Sequence, residues 1–73
     1  MRIKLRPIGL IKSYVEERDI DVLPGCTSRT LIKELRIPEQ FKMVTFVNGK
    51  KYKLDDKLQE NDEVKLVTLV TGG

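Results

Sequence analysis

Residues 27–38 read TSRTLIKELRIP, and this stretch predicts the helix around which the rest of the chain is arranged. Thr27 and Ser28 are residue types that favour the N-terminal cap of a helix. Pro38 disfavours a helical backbone at Ile37, so the predicted helix has about two to three turns and ends near that residue. Three apolar residues share one side of it and predict the face that it buries: Leu31, Ile32 and Leu35.

Short alternating segments on the N-terminal side of this helix predict two strands. Residues 2–6 alternate basic and apolar residues, which indicates a half-buried strand with Ile3 and Leu5 turned inward. Residues 19–23 alternate again and predict the second strand. Between them, apolar residues at helical spacing in residues 10–15 predict a short helical stretch.

The N-terminal strand is followed at once by Pro7 and Gly9, which are expected to end or bend it. The second strand is closed by the turn pair Pro24-Gly25.

Three strands are predicted on the C-terminal side of the helix. Residues 43–47 run into Asn48-Gly49, which is the strongest hairpin signal in the chain. We expect Tyr52 and Leu54 on the returning strand. After a polar loop with one apolar residue, Leu58, residues 63–70 predict the last strand, with Val64 and Leu66 inward.

The order strand, strand, helix, strand, strand, strand predicts an α+β fold of the β-grasp (ubiquitin-like) type. A mixed sheet of four to five strands would carry one main helix across it, with the first and last strands side by side at its centre. We expect residues 1–70 to form a single domain, with Thr71-Gly72-Gly73 as a flexible tail.

The composition narrows the possible functions. The chain has 73 residues, a net charge of +3, one cysteine and no histidine. Without histidine there is no imidazole base, no Cys/His pair and no histidine metal ligand, so we expect no metal site and no catalysis by the chain itself. One cysteine gives no disulfide framework, and no apolar run is long enough to cross a bilayer. These features favour a cytoplasmic protein that takes part in chemistry as a carrier.

The C-terminal Gly72-Gly73 is the feature most directly related to chemistry. Residues without Cβ atoms can enter a narrow channel, and their backbone can approach a bound nucleotide closely. Val70 and Thr71 are β-branched and favour an extended chain in front of them. A terminal carboxylate becomes an acyl donor once a phosphate ester is made on it, so this end suits activation as an acyl adenylate.

Several short motifs in the C-terminal third resemble the MoaD/ThiS family of ubiquitin-like sulfur carriers. They are Val47-Asn48-Gly49, then Leu58, then Asn61-Asp62-Glu63-Val64, and finally Val70-Thr71-Gly72-Gly73. The family usually has glycine where this chain has Asn61. That position is expected to need a positive φ, which asparagine tolerates better than most residues.

The resemblance implies that the terminal glycine, here Gly73, is adenylated with ATP by a partner resembling ubiquitin-activating enzymes. The carboxylate is then converted to a thiocarboxylate, whose sulfur passes to a sulfur-accepting synthase subunit. On this resemblance the chain is expected to bind no cofactor, and the activating partner to consume the ATP. Molybdopterin or its tungsten form is the favoured destination and the thiazole of thiamine the next. The long connection Pro7–Arg18 favours the former, because thiamine carriers tend to have a tight first hairpin.

Strand alternation predicts a docking face beside the tail. If Val64 and Leu66 point inward, Val67 and Leu69 point outward, and the neighbouring first strand turns three further residues the same way. The candidate docking residues are Ile8, Phe46, Val67 and Leu69, with the basic residues Lys4 and Arg6.

Two other functions are weighed against the carrier. A ubiquitin-like modifier shares the activation of the tail but ends in an isopeptide bond to a lysine. A small nucleic-acid-binding β domain would use the basic residues directly, with the tail incidental. The carrier is favoured over the nucleic-acid binder, because acids are well mixed among the bases and only two Phe and two Tyr could stack on bases.

Overall fold

A computed structural model describes residues 1–38 and 40–69, with Leu69 described by its backbone alone. It contains five strands, one α-helix and one 3-10 helix. In chain order these are β1 (Arg2–Ile8), the 3-10 helix (Gly9–Ser13), β2 (Arg18–Asp21), α1 (Ser28–Glu34), β3 (Lys42–Val47), β4 (Lys50–Tyr52) and β5 (Glu63–Leu69).

The strands form one mixed sheet in the order β2-β1-β5-β3-β4. The first and last strands, β1 and β5, lie side by side and parallel, and every other neighbouring pair is antiparallel. The predicted β-grasp fold is therefore confirmed.

The inner face of the sheet carries the core against α1. Ile3 and Leu5 of β1 and Val64 and Leu66 of β5 are fully buried, as the alternation predicts. They form one cluster with Leu31 of α1 and with Leu58 of the loop before β5. Burial of these apolar surfaces is the main force that holds the helix on the sheet.

The N-terminal strand continues through Pro7, where the sequence predicts an end or a bend. The amide of Lys4 donates to the carbonyl of Asp62, 2.8 Å away, so even-numbered residues of β1 turn their N–H toward β5. The backbone nitrogen of Pro7 therefore points to the β2 side of β1. The pairing of β1 with β2 stops at Leu5, so no strand lies beside Pro7 there. The missing N–H of proline costs no ladder hydrogen bond there, and β1 extends to Ile8.

The helical stretch expected in residues 10–15 is a 3-10 helix, Gly9–Ser13. Ile11 and Val15 are buried, whereas Leu10 and Tyr14 are exposed. The ring of Tyr14 lies against that of Phe41, with centroids 5.2 Å apart.

The helix α1 begins as predicted, with the hydroxyl of Thr27 accepting from the amide of Thr30 at 3.2 Å. It ends at Glu34, earlier than the position near Ile37 that Pro38 suggests. The chain leaves the helix through Arg36, whose φ is 56°.

The hairpin at Asn48-Gly49 is confirmed, with φ of 51° and 86° at the two turn residues. The returning strand β4 is shorter than predicted, because it ends at Tyr52 and Leu54 lies in the following turn. Within the described residues, no helix is long and apolar enough to cross a membrane, and no cluster of potential metal ligands is present.

Candidate functional site

The central strand β5 leads the chain toward the predicted reactive end. Its neighbours are β1, paired as far as Val67, and β3, paired as far as Leu69. The residues Val70, Thr71, Gly72 and Gly73 lie outside the described part of the chain. In the sequence, Gly73 follows the last residue of β5 by four positions.

The strand that leads to this end is fixed by a contact with the 3-10 helix. The amide of Ile11 donates to the hydroxyl of Thr68 at 3.1 Å, in a buried position. Gly9, at φ 83°, starts this helix, and its Cα faces the carbonyl of Thr68, which a Cβ would meet at 3.9 Å. The sequence analysis missed this contact, because a threonine near a strand end carries no signal of its partner.

The outer face of the sheet, turned away from α1, carries an apolar group next to the end of β5. Ile8, Val67 and Val44 lie in one row across three strands, since the ladder pairs Val67 with both of the others. Phe46, two residues further along β3, is the next residue of that strand on the same face. These four residues, Ile8, Val44, Phe46 and Val67, are called the outer apolar patch; Ile8 is 39% exposed and the others are partly exposed.

Val44 is a member of the patch that the sequence analysis missed. Residues 43–47 have apolar side chains at both odd and even positions, so alternation did not show which of the two sets points inward. The hairpin could have resolved it, because a two-residue turn at Asn48-Gly49 places Val47 opposite Lys50 and Thr45 opposite Tyr52. Val47 and Thr45 are buried, which leaves Val44 and Phe46 outward.

Arg6 lies in the row next to the patch, opposite Lys65. Its Nε is 3.4 Å from a carboxylate oxygen of Glu63 and 3.5 Å from one of Glu17. Such exposed pairs contribute little to stability, so Arg6 can exchange partners at small cost.

The structure separates Lys4 from the patch. Lys4 and Ile8 are four residues apart on β1, which corresponds to about 13 Å along a strand. Lys4 lies instead between Asp19 on β2 and Glu63 on β5. The side chain of Leu69 lies outside the described part of the chain, so its place in the docking face stays a prediction.

Two of the motif positions build the turn into β5. The side-chain amide of Asn48 donates to a carboxylate oxygen of Asp62 at 2.9 Å, and its carbonyl accepts from the amide of Glu63, also at 2.9 Å. Asn61 has a φ of 67°, so the positive φ expected at that position is confirmed.

Comparison with known proteins gives one family match. The model of the ThiS family matches residues 9–73, which include the C-terminal Gly72-Gly73. No curated protein sequence matches the chain.

Several solved structures share the fold at low sequence identity. A putative molybdopterin converting factor, subunit 1, from Pyrococcus furiosus is 21% identical, with a TM-score of 0.76 over 94% of this chain and 98% of that one. The small archaeal modifier protein 1 of Haloferax volcanii is 15% identical, with a TM-score of 0.73 over the same shares. A ubiquitin of Caldiarchaeum subterraneum is 22% identical, with a TM-score of 0.65 over 100% and 98%. These similarities support the β-grasp fold.

Proposed function

The chain belongs to the ThiS family, and we propose that it is a sulfur carrier whose Gly73 carboxylate is activated by adenylation and converted to a thiocarboxylate. The observation that carries this proposal is the extent of the family match, which continues through Gly72 to Gly73. The chain would act as a co-substrate of partner enzymes, and the dependence on ATP agrees with the cytoplasmic location expected from its single cysteine.

The proposed chemistry needs no catalytic group in this chain. A carboxylate oxygen of Gly73 attacks the α-phosphorus of ATP in the active site of the partner, and pyrophosphate leaves. A hydrosulfide equivalent from the sulfur source then attacks the acyl carbon of the adenylate, AMP leaves, and loss of the proton gives the thiocarboxylate. The absence of histidine from the sequence agrees with a role as the group that is activated.

We assign the outer apolar patch to docking on the activating partner, an adenylyltransferase of the ubiquitin-activating type. Its row Ile8–Val67–Val44 lies two ladder pairs before Leu69, and Gly73 follows Leu69 by four residues, so a partner that covers the row also lies close to the C-terminal end of the chain. Arg6 and Lys65 beside the patch both pair with Glu63. Exposed pairs of this kind contribute little to stability, so the two basic residues could exchange Glu63 for carboxylates at the rim of a partner.

The proposed destination of the sulfur is a synthase subunit for molybdopterin or tungstopterin, with the thiamine thiazole as the next choice. The long connection from β1 to β2, which holds the 3-10 helix, favours the former. The similarity in fold to a protein named as a putative molybdopterin converting factor subunit agrees with it.

A second candidate is a protein modifier that is joined through Gly73 to lysines of other proteins. The observation that favours it is the similarity in fold to the small archaeal modifier protein 1 of Haloferax volcanii. Both candidates require the same activated carboxylate and differ in the nucleophile that receives the acyl group.

The test is the intact mass of the chain after incubation with ATP, a sulfur source and the activating enzymes of its own organism. A mass gain equal to the replacement of one oxygen by one sulfur, mapped to Gly73, supports the carrier. A mass gain that corresponds to a lysine conjugate of another protein supports the modifier. A variant with one alanine added after Gly73 should lose either product, whereas one alanine added before Met1 should not. An unchanged mass, with enzymes shown to be active on another carrier, contradicts both.

A further inference from the structure

A second surface lies on the helix side of the sheet, away from the outer apolar patch. It is an open groove of about 500 Å³ between α1 and the beginning of β3. Its apolar lining includes Ile32 of α1, Phe41 and Met43 before and within β3, and Leu54 of the turn after β4. Leu54 is 37% exposed, so the groove presents apolar surface to solvent.

The backbone of β3 has an open edge beside this groove. The strand β4 pairs with residues 45–47 only, and the chain turns away after it through a hydrogen bond from the Lys53 amide to the Asp56 carboxylate at 2.8 Å. Residues 42–44 of β3 therefore have a ladder partner on the β5 side alone. An unpaired strand edge is a template for a further strand.

The direction of the free backbone groups follows from the ladder. The amide of Asn48 donates to the carbonyl of Glu63 on the β5 side, and the groups of an antiparallel strand alternate in direction. The backbone N–H and C=O groups of even-numbered residues of β3 thus point toward β5. Those of Met43 point toward the open edge. No backbone partner of Met43 on that side is present in the described part of the chain.

Among the described residues, the charged side chains that line the groove are all basic. Arg29, Lys33 and Lys42 line it, and no carboxylate does among the described residues. Arg29 is neutralised by Asp55, with Nε 3.0 Å from a carboxylate oxygen. Within residues 1–38 and 40–69, Lys33 and Lys42 form no ion pair, so their charges are available to a bound anion.

We propose that this groove binds an extended segment of a partner protein in which apolar and acidic residues alternate, and that the segment adds to β3 as a short strand. One N–H and one C=O of the segment would pair with Met43. Because paired residues share a face, the apolar side chain opposite Met43 would enter the groove. Its acidic neighbours would point to the outer side, next to Lys42. Lys33, on the helix side of the groove, would attract the acidic segment by its charge without direct contact.

This surface is independent of the activation of Gly73. The groove lies on the helix side of the sheet, whereas Ile8 and Val67 lie on the outer face of the inner strands β1 and β5. A segment added to β3 therefore leaves Ile8 and Val67 free, and Val44 is the patch residue beside it. The proposal therefore adds a second binding function, and its test does not involve ATP or a sulfur source.

The probe is an N-acetylated, C-amidated heptapeptide of alternating aspartate and isoleucine, titrated into the labelled chain and followed by NMR. The expected result is a saturable shift of the Met43 amide and of the methyl groups of Ile32 and Leu54, with those of Ile8 and Val67 unmoved. Methylation of the central isoleucine nitrogen should weaken binding, because it removes the donor to the Met43 carbonyl. A heptapeptide of lysine and isoleucine should not bind, because its charges repel Lys33 and Lys42.

A pair of variants tests the role of the charges. The double substitution Lys33→Glu with Lys42→Glu should weaken the affinity about tenfold or more. The control, Lys12→Glu with Lys50→Glu, changes the net charge equally at exposed sites away from the groove and should keep the affinity within about twofold. Equal weakening in both variants overturns the proposal, as do shifts confined to the outer apolar patch. So does occupation of the groove by octanoate with no response to the peptide, which would assign it to small amphiphiles.

Discussion

Asn48, in the turn after β3, donates from its side-chain amide to the carboxylate of Asp62, just before β5, over 2.9 Å. Asp62 is only 6% exposed, and its second oxygen accepts from the amide of Gln59 at 2.7 Å. The pair thus connects the β3–β4 hairpin to the turn that begins β5. Two motif positions that resemble the sulfur-carrier family therefore have a structural role, at the end of β5 opposite to the tail.

Removal of this carboxylate should destabilise the protein. Asp62→Ala leaves the Asn48 amide and the Gln59 N–H without their acceptor, and we expect a loss of about 2–3 kcal/mol in the free energy of unfolding. Urea denaturation followed by circular dichroism measures it. The matched control is Asp56→Ala, whose exposed carboxylate accepts from Lys53 and should cost about 0.5 kcal/mol. Equal losses in the two variants would show that burial of Asp62 is irrelevant.

Substitution by valine should have different effects on stability at two buried threonines of the inner face of the sheet. Thr68→Val removes the acceptor of the Ile11 amide, and we expect a loss of about 1–3 kcal/mol in the free energy of unfolding. The hydroxyl of Thr45 is buried without a hydrogen-bond partner among the described residues. Thr45→Val should therefore be neutral or stabilise by about 1 kcal/mol. The same urea experiment compares them, and a loss in Thr45→Val as large as that in Thr68→Val would contradict the assignment.

The fold could be predicted because its signals are local. Alternation identified the inward side of β1 and β5, and the Asn48-Gly49 pair located the hairpin that the structure confirms. The structural features that could not be predicted from the sequence depend on contacts between segments that are distant in the chain. The hydrogen bond from Ile11 to Thr68 joins residues 57 positions apart in the sequence. The strand β1 continues through Pro7 because the pairing with β2 stops at Leu5, so no hydrogen bond to β2 is lost at the proline.

The candidate site was predicted in part. Outward residues on β1 and β5 followed from alternation, whereas the place of Val44 depended on the register of the Asn48-Gly49 hairpin, which the prediction did not use. The prediction grouped Lys4 with Ile8 because they share a face; the two lie about 13 Å apart along β1, and the role of Lys4 in docking stays a prediction. The residues Val70 to Gly73, on which the proposed chemistry depends, lie outside the described part, so for them the sequence and the family match remain the support.

The end of α1 offers a stabilising substitution. The Ile37 amide donates to the Ile32 carbonyl at 3.4 Å and the Arg36 amide to the Lys33 carbonyl at 3.0 Å, which together form a Schellman motif. Arg36 occupies its left-handed position at φ 56°, where glycine is usual. Arg36→Gly should raise the free energy of unfolding by about 1 kcal/mol, because the Cβ no longer strains that conformation. A thermal melt measures it.

Two controls separate relief of strain from loss of the arginine side chain. Arg36→Ala removes the side chain, keeps the Cβ and should not stabilise the protein. Lys33→Gly, within the helix, should lower the free energy of unfolding by about 1 kcal/mol. Stabilisation by Arg36→Ala equal to that by glycine would show that the arginine itself is unfavourable there.

The pair of Arg29 and Asp55 should contribute to the pH dependence of stability. The hydrogen bond and charge of the Arg29 guanidinium lower the pKa of the Asp55 carboxyl in the folded chain. A lowered pKa stabilises the folded state above the unfolded-state pKa of about 3.9, and this contribution is lost as the pH falls through the folded value. Wild-type protein and Asp55→Asn should therefore differ in urea midpoint at pH 6 and converge toward pH 2. A difference that is constant with pH would assign it to another cause.

Cys26 is a packing residue, so its thiol should react slowly and should not be needed for sulfur transfer. It lies buried in the core, and its Sγ donates to the Thr27 carbonyl at 3.4 Å. Burial first, and then the charge of Glu34, raise the pKa of the Cys26 thiol. Since the thiolate is the nucleophile, alkylation by iodoacetamide at pH 8 should be at least about tenfold slower in the folded chain than in urea.

The variant Cys26→Ala separates packing from chemistry. It removes one buried sulfur and should lower the free energy of unfolding by about 1 kcal/mol. The mass gain at Gly73 should appear at the wild-type rate below the melting temperature, because the proposed reaction uses a carboxylate of this chain and a sulfur supplied from outside. Loss of that mass gain in a folded Cys26→Ala protein would mean that the thiol handles the sulfur before Gly73 does, and the carboxylate would no longer be the only sulfur-bearing group of the carrier.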